Sequence, residues 1–210
     1  SNRLLSYVPR VRLEAEVLRD TVLATAGLLS KKMFGPPVRP PQPRGVTEAA
    51  YGSPKWKASR GEDRFRRSVY TYLKRTAPFA MFSAFDGPSG ESCVARREVS
   101  NSPLQALTLL NDVMLVEAAQ AFGGLIASSS KDDTERVRYA VERALCREAT
   151  DHEVDLLLSF TRAQRDRFRT NDAKDVAKFA GGDAGDAVER AAWTALARAL
   201  LCLDEFVTRP

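Results

Sequence analysis

Five residues within one 28-residue stretch have side chains that could take part in chemistry: Asp86, Glu91, Cys93, Arg96 and Arg97. Two carboxylates beside arginines could act as acid and base on a sugar. A cysteine flanked by arginines could be held as a reactive thiolate. Arginine–carboxylate clusters also order irregular backbone, because they satisfy its polar groups. A structural network, a ligand-binding site and a catalytic site are therefore the three interpretations of these residues.

The arginine pair lies in a segment that is poor in large apolar side chains. We therefore expect at least one of Arg96 and Arg97 to be largely buried and bonded to a carboxylate or to loop carbonyls. The candidate carboxylates are Asp86, Glu91, Asp112, Glu16 and Asp20.

The elements on either side of these residues should hold them in place. A turn is expected at 86–90, where glycine and proline favour tight backbone geometry. Ser102, Pro103 and Gln105 have the spacing of a helix N-cap, first position and third position, which is a capping box. The predicted inward face of that short helix carries leucines 104, 107 and 110. Asp112 is positioned to cap a second helix over about 113–127.

The whole chain has the pattern of a mostly α protein with five to seven helices. Apolar spacing and caps predict further helices over 10–33, 63–75 and 133–148, from 150 onward, and over 187–203. Thr150 and Glu153 form a second capping box, which places His152 on an exposed first turn. Irregular structure is expected over 77–101 and 171–186, and above all in the Pro/Gly-rich segment 35–61, here called the strap. The length suits one helical domain over 1–210.

Composition narrows the classes of function. The net charge is +5, yet basic and acidic residues are interspersed. An anionic partner is therefore compatible with the sequence, whereas nucleic acid is not favoured, since a lysine-rich stripe and an aromatic stacking motif are missing. No apolar run is long enough to span a membrane. Three cysteines and one histidine form no haem-attachment or zinc motif, so no metal site is expected. The cysteines allow either one disulfide and one free thiol, or three buried thiols.

The stretch Phe85–Asp112 resembles the signature of the planctomycete-type domain of unknown function 1553 family. That signature runs F-D-x-P, a glutamate and a cysteine, paired arginines, then T-N-T-P-L-Q-A-L and L-L-N-D-P. The matching residues are Phe85, Asp86, Pro88, Glu91, Cys93, Arg96, Arg97, Asn101, Pro103, Leu104, Gln105, Ala106, Leu107, Leu109, Leu110, Asn111 and Asp112. Serines 100 and 102 replace threonines, and Val113 replaces a proline. Residues 12–20, 66–76 and 192–206 resemble three further blocks of the family.

The resemblance implies a piece of a larger exported protein, located outside the cytoplasm. Family members resemble C-terminal pieces of proteins that often carry a cytochrome-type haem domain upstream, so no cofactor is expected within this fragment. The resemblance implies no reaction. The expected function is a non-catalytic interaction or structural module whose partner is another domain of the same chain or an anionic surface. The alternative is an enzyme fragment that acts on a glycan or another anionic substrate through the loop Asp/Glu/Arg cluster.

Overall fold

The structure is a computed structural model that describes residues 10–43, 45, 56–74, 77–90, 92–182 and 186–209. It confirms a mostly α fold, with seven longer helices and two short ones in this part of the chain. The elements are β1 (Val11–Arg12), α1 (Ala15–Thr25), two 3₁₀ helices (Gly61–Phe65 and Ser68–Tyr70), α2 (Ala80–Ala84), α3 (Pro103–Asn111), α4 (Val113–Ser129), α5 (Asp133–Leu145), α6 (Asp151–Thr170), α7 (Ala173–Ala180), α8 (Ala187–Leu201), α9 (Asp204–Val207) and β2 (Thr208–Arg209).

The core is organised around the contact between α4 and α8. Phe122 of α4 and Leu196 of α8 are fully buried. Gly123 allows the two helices to approach closely, because a Cβ atom at this position would lie 2.7 Å from the backbone nitrogen of Thr194. Helices α5, α6 and α7 pack around this pair.

A cluster of charged side chains supports the outer side of α8. Trp193 is fully buried, and the guanidinium groups of Arg136 and Arg165 lie 5.5 and 5.3 Å from the centre of its ring. Glu189 accepts hydrogen bonds from the Trp193 indole at 2.6 Å and from Arg165 at 2.6 Å. The charge of Arg165, which α6 directs toward α8, is therefore bound within the fold.

The two described ends of the chain meet in a short antiparallel pair. Val11 of β1 pairs with Arg209 of β2, and Arg12 pairs with Thr208. This pairing holds β1 in an extended conformation, so α1 begins only at Ala15. The predicted helix over 10–33 is therefore too long at both ends. Its C-terminal end comes at Thr25, shortly before Gly27 adopts a φ of 71°.

The prediction of a helix over 63–75 is wrong. Two 3₁₀ helices lie there instead, because carbonyl groups of this segment accept bonds from other parts of the chain rather than from their own helix. Val69 and Leu73, whose spacing of four residues had favoured a helix, are exposed. Two predicted loops are also more ordered than expected. Segment 77–101 contains α2, and 171–186 contains α7, which Asp172 caps.

The strap is irregular in its described parts, as predicted, and it packs against the body of the protein. Val38 is buried and forms a parallel bridge with Thr71. The Trp56 ring stacks on Phe79 at 6.1 Å, and its indole nitrogen donates to the carbonyl oxygen of Pro40 at 2.8 Å. Tyr51, the other aromatic residue of the strap, lies outside the described residues.

No helix in the described ranges is by itself both long and apolar enough to cross a membrane. Helices α3 and α4 together have the necessary length and composition, but they meet at an angle of 52°.

Candidate functional site

The four candidate residues that the structure describes are not joined in one network of contacts. Asp86 and Arg97 each lie in a separate ion-pair network. Cys93 and Arg96 are exposed on the loop between α2 and α3. Glu91 lies outside the described residues.

Asp86 is the centre of the first network. Its backbone has a φ of 57°, which ends the turn after α2 and directs the chain toward α3. Its carboxylate accepts bonds from Arg12 Nη2 at 2.5 Å, from the Ser100 backbone N–H at 2.9 Å and from the Ser100 hydroxyl at 2.8 Å. The amide of Gln105 lies 3.4 Å away and also bonds to Arg12 Nη1, at 2.8 Å. The network thus connects β1, the loop and the first turn of α3.

These donors determine the charge state of Asp86. Hydrogen bonds from the Ser100 backbone and from Arg12 lower the pKa of Asp86 from 3.8 to about 2. The group is therefore a carboxylate at neutral pH, so it could not donate a proton as a general acid there. Its acceptor positions are already occupied by protein donors, and these contacts fit a structural network.

Arg97 forms the second network with the first turn of α1. Its guanidinium binds Glu16 in a bidentate manner, at 2.6 and 3.1 Å, and lies 3.4 Å from Glu14. Glu16 was among the predicted partners. The expectation that one arginine of the pair is largely buried is wrong, since 34% of the Arg97 side chain is exposed and Arg96 is exposed too. The reason is that Glu16 lies at the edge of α1, not on its inner face.

Among the described residues, the buried arginines are Arg19 and Arg66, which are 0% and 1% exposed. Arg19 donates to the carbonyl oxygens of Arg66 at 2.8 Å and Arg64 at 2.9 Å, and burial lowers its pKa to about 10. Arg66 in turn donates to the carbonyl oxygens of Pro36, at 3.1 Å, and of Phe34. Arginines therefore do order irregular backbone in this protein, but at the start of the strap and around the 3₁₀ helices. The sequence did contain a signal for this network. Arg19-Asp20 and Arg66-Arg67 are adjacent charged pairs within two of the blocks that resemble the family.

The cysteines follow neither predicted arrangement. All three are free thiols, Cys93 and Cys146 are exposed, and Cys202 is half-buried. Within the described residues, no group of three or more His, Cys, Asp or Glu side chains has an arrangement that could hold a metal ion.

Helix α3 is oriented opposite to the prediction. Leu104, Leu107 and Leu110 were expected to face inward, but they are 60%, 56% and 39% exposed. The one buried residue of α3 is Gln105, which is 5% exposed because it belongs to the Asp86 network, and Leu109 packs partly buried against the core. A bond from the Ser102 N–H to Gln105 Oε1, at 3.3 Å, provides one arm of the predicted capping box. The leucine spacing was recognised in the sequence, but the side of the helix that meets the core was not.

The outward side of α3 offers few polar groups to water. Residues 102–111 contain no charged side chain. The Thr108 hydroxyl donates to the carbonyl oxygen of Leu104 at 2.8 Å, and the Asn111 amide donates to that of Leu107 at 3.1 Å. Beyond the buried helix cap Asp112, Val113 is again exposed. We call the side chains of Leu104, Leu107, Leu110 and Val113 the leucine face.

A groove of about 530 Å³ adjoins the leucine face and shares Leu110 with it. Helix α6 contributes Phe160 and Phe168, α7 contributes Phe179, and α3 contributes Leu110. Polar side chains also line the groove, among them Gln164, Arg167, Asn171, Asp175 and Arg198. Arg198 links the groove to α3, since its guanidinium donates to the carbonyl oxygen of Leu110. This groove had no counterpart in the sequence predictions, because its walls come from four separate helices.

Comparisons with known proteins agree with the resemblance in the signature stretch. Neither a curated protein nor a solved structure matches this chain. A family described as PSD1, protein of unknown function (DUF1553), matches residues 1–161, which is well over half of the chain. The chain therefore belongs to the PSD1 (DUF1553) family.

Proposed function

We propose that this protein is a non-catalytic interaction module that docks onto another protein surface through its leucine face. The observation that carries the proposal is the orientation of α3, which directs a glutamine inward and three leucines outward. Single exposed leucines are common on protein surfaces, but contiguous apolar patches mark interaction sites. Spacings of three residues place Leu104, Leu107 and Leu110 on one side of the helix, where they form such a patch.

The polar groups of α3 support the same conclusion. A docking surface loses its water, and each polar group that is left without a partner then opposes binding. Thr108 and Asn111 already donate to carbonyl groups of their own helix. Their donors therefore stay bonded when a partner covers the helix, which lowers the cost of removing water from this surface.

The partner that we propose is another domain of the same exported polypeptide. The family resemblance supports this choice, because members resemble C-terminal pieces of longer proteins. An extracytoplasmic location follows from the same resemblance, as does the proposal that any haem belongs to an upstream domain rather than to this one.

The enzyme alternative finds less support in the described contacts. Asp86 is a carboxylate that is occupied by Arg12 and Ser100, and the bidentate partner of Arg97 is Glu16. A sugar-cleaving pair would need one carboxyl group that holds its proton near neutral pH. Asp86 has the opposite tendency, since its pKa is about 2.

Photo-crosslinking in the intact, full-length protein tests the proposal. A photoreactive amino acid replaces Leu107 in one variant and His152 in the control, since both positions are exposed helical sites. We expect position 107 to crosslink to a segment of the same polypeptide outside residues 1–210, as mapped by mass spectrometry, and position 152 not to do so. Equal crosslinking from the two positions, or none from position 107, would contradict docking through the leucine face.

A further inference from the structure

We infer that the groove between α6, α7 and α8 receives an apolar helical segment of the docking partner that carries flanking carboxylates. This inference rests on the proposed function, because it names the chemistry of the partner surface that continues beyond the leucine face. It concerns the groove residues on α6, α7 and α8, which can be mutated without changing α3.

The walls of the groove suit large apolar side chains. Phe168 and Phe179 form one wall, with their ring centres 5.2 Å apart. Phe160 lies about two turns earlier on α6. Phe160 and Phe179 are half-buried, so part of each ring remains open to a ligand. A volume of about 530 Å³ accommodates several apolar side chains of an inserted segment.

The groove is continuous with the leucine face through Leu110, which belongs to both. Nine residues of α3 give an exposed strip of only about 13 Å in length, at 1.5 Å per residue. Such a strip is short for a stable interface, which normally covers about 800 Å² on each partner. A partner that lies along α3 and continues into the groove would bury more apolar surface. This geometry favours an extended helical segment over an isolated small molecule.

The charges in the groove favour carboxylates on the partner. Within the described residues, the guanidinium of Arg167 has no carboxylate partner, and that of Arg198 binds only the Leu110 carbonyl and the Asn111 side chain. Arg165, on another side of the same helix, is by contrast bound by Glu189 and Asp133. Asp175 is the acidic residue of the groove. The groove arginines therefore have charge available for acidic groups of a partner, and the reduced solvent in a bound complex would strengthen such pairs.

Selection from a random library of 16-residue peptides displayed on phage tests this inference without a known partner. The target is the 210-residue chain. Peptides that also bind the variant Arg167→Glu are removed by counter-selection. We expect the enriched peptides to carry apolar residues at spacings of three and four, with acidic residues beside them and few lysines or arginines. Enrichment of basic peptides, or of no common pattern, would overturn the inference.

Binding of the most enriched peptide, measured by fluorescence anisotropy, gives the sharper test. Arg167→Glu should weaken its affinity at least tenfold, because an attractive charge becomes repulsive. Asp175→Asn should strengthen the affinity a few-fold, because a like charge is removed. Arg162→Glu is the matched control, since Arg162 is exposed on α6 but does not line the groove. It should change the affinity less than twofold.

Equal effects of the changes at Arg162 and Arg167 would show that net charge, rather than the groove, controls binding, and the inference would fail. That failure would leave the crosslinking result at position 107 unaffected. Conversely, absence of crosslinks from position 107 would overturn the proposed docking function even if peptides entered the groove.

Discussion

Helices α3 and α4 follow each other in the chain and are both rich in apolar residues, but they use these residues in opposite ways. In α4, Leu115 and Phe122 are buried against the rest of the core. In α3, Leu104 and Leu107 are exposed, and the side chain in the interior is Gln105. Asp112 separates the helices and caps α4 by accepting a bond from the Met114 N–H at 2.9 Å.

The difference shows that apolar spacing identifies a face of a helix but not the direction of that face. Helix α4 packs against α8 over much of its length, so its apolar side is covered. Helix α3 is held by a polar anchor, because Gln105 completes the hydrogen bonds of Arg12 and Asp86. Where a polar side chain has partners in the interior, it can determine which side of a short helix faces solvent.

The comparison of the two helices can be tested directly by removing one leucine from each. Leu115→Ala should destabilise the protein by about 3 kcal/mol, because it removes a buried side chain and leaves a cavity. Leu107→Ala should change the stability by no more than about 0.5 kcal/mol, because an exposed side chain loses few contacts. Urea denaturation of both variants measures the difference. A large loss for Leu107→Ala would mean that the leucine face is part of the core, and the proposed docking function would lose its basis.

Arg19 allows the role of inward polar groups to be examined in a second helix. Arg19→Ala should cost about 2–3 kcal/mol, because it leaves the buried carbonyls of Arg64 and Arg66 without their donor. Arg97→Ala should cost less than about 1 kcal/mol, since that ion pair is partly exposed. Arg19→Lys should recover only part of the loss, because lysine lacks the planar fork of donors.

Thermal melts of these three variants provide the measurement. If Arg97→Ala proved as costly as Arg19→Ala, the loop network around the signature stretch would be the main stabilising one, as the sequence had suggested.

A smaller effect is expected when acid removes the charge at the anchor of α3. The pKa of Asp86 is lowered from 3.8 to about 2 in the folded protein, so its contribution is present above about pH 4 and is lost as the pH falls toward 2. Solvent access at this partly exposed site limits the contribution to roughly 1 kcal/mol. Asp86→Asn is the matched variant, because asparagine tolerates the left-handed backbone at this position.

We expect the wild type to be more stable than Asp86→Asn at pH 6, and the difference to disappear near pH 2. Denaturation curves at the two pH values test this. A difference that does not change with pH would show that the charge of Asp86 does not hold α3 in its orientation. Glu153, whose pKa is also lowered to about 2, is present in both proteins and cancels from the comparison.

The ends of several helices could be predicted from the sequence, because a cap is a contact between close neighbours in the chain. Asp112 caps α4, and Thr150 and Glu153 form a capping box at the start of α6, as expected. The irregular course of the strap in its described parts also agrees with the prediction. The family could also be predicted from the sequence, because a signature depends only on the order of residues in the chain.

Only the tertiary structure decided which side chains are buried and which are displayed. Arg19 and Arg66 are 47 positions apart, and Arg12 and Gln105 are 93 positions apart, yet these contacts determine where the strap runs and which side of α3 faces out. No spacing within a single segment encodes such a contact, because it exists only after distant segments have packed. The five candidate residues could thus be identified in the sequence. The separation of Asp86 and Arg97 into distinct networks, and the leucine face and groove, followed from how the helices assemble.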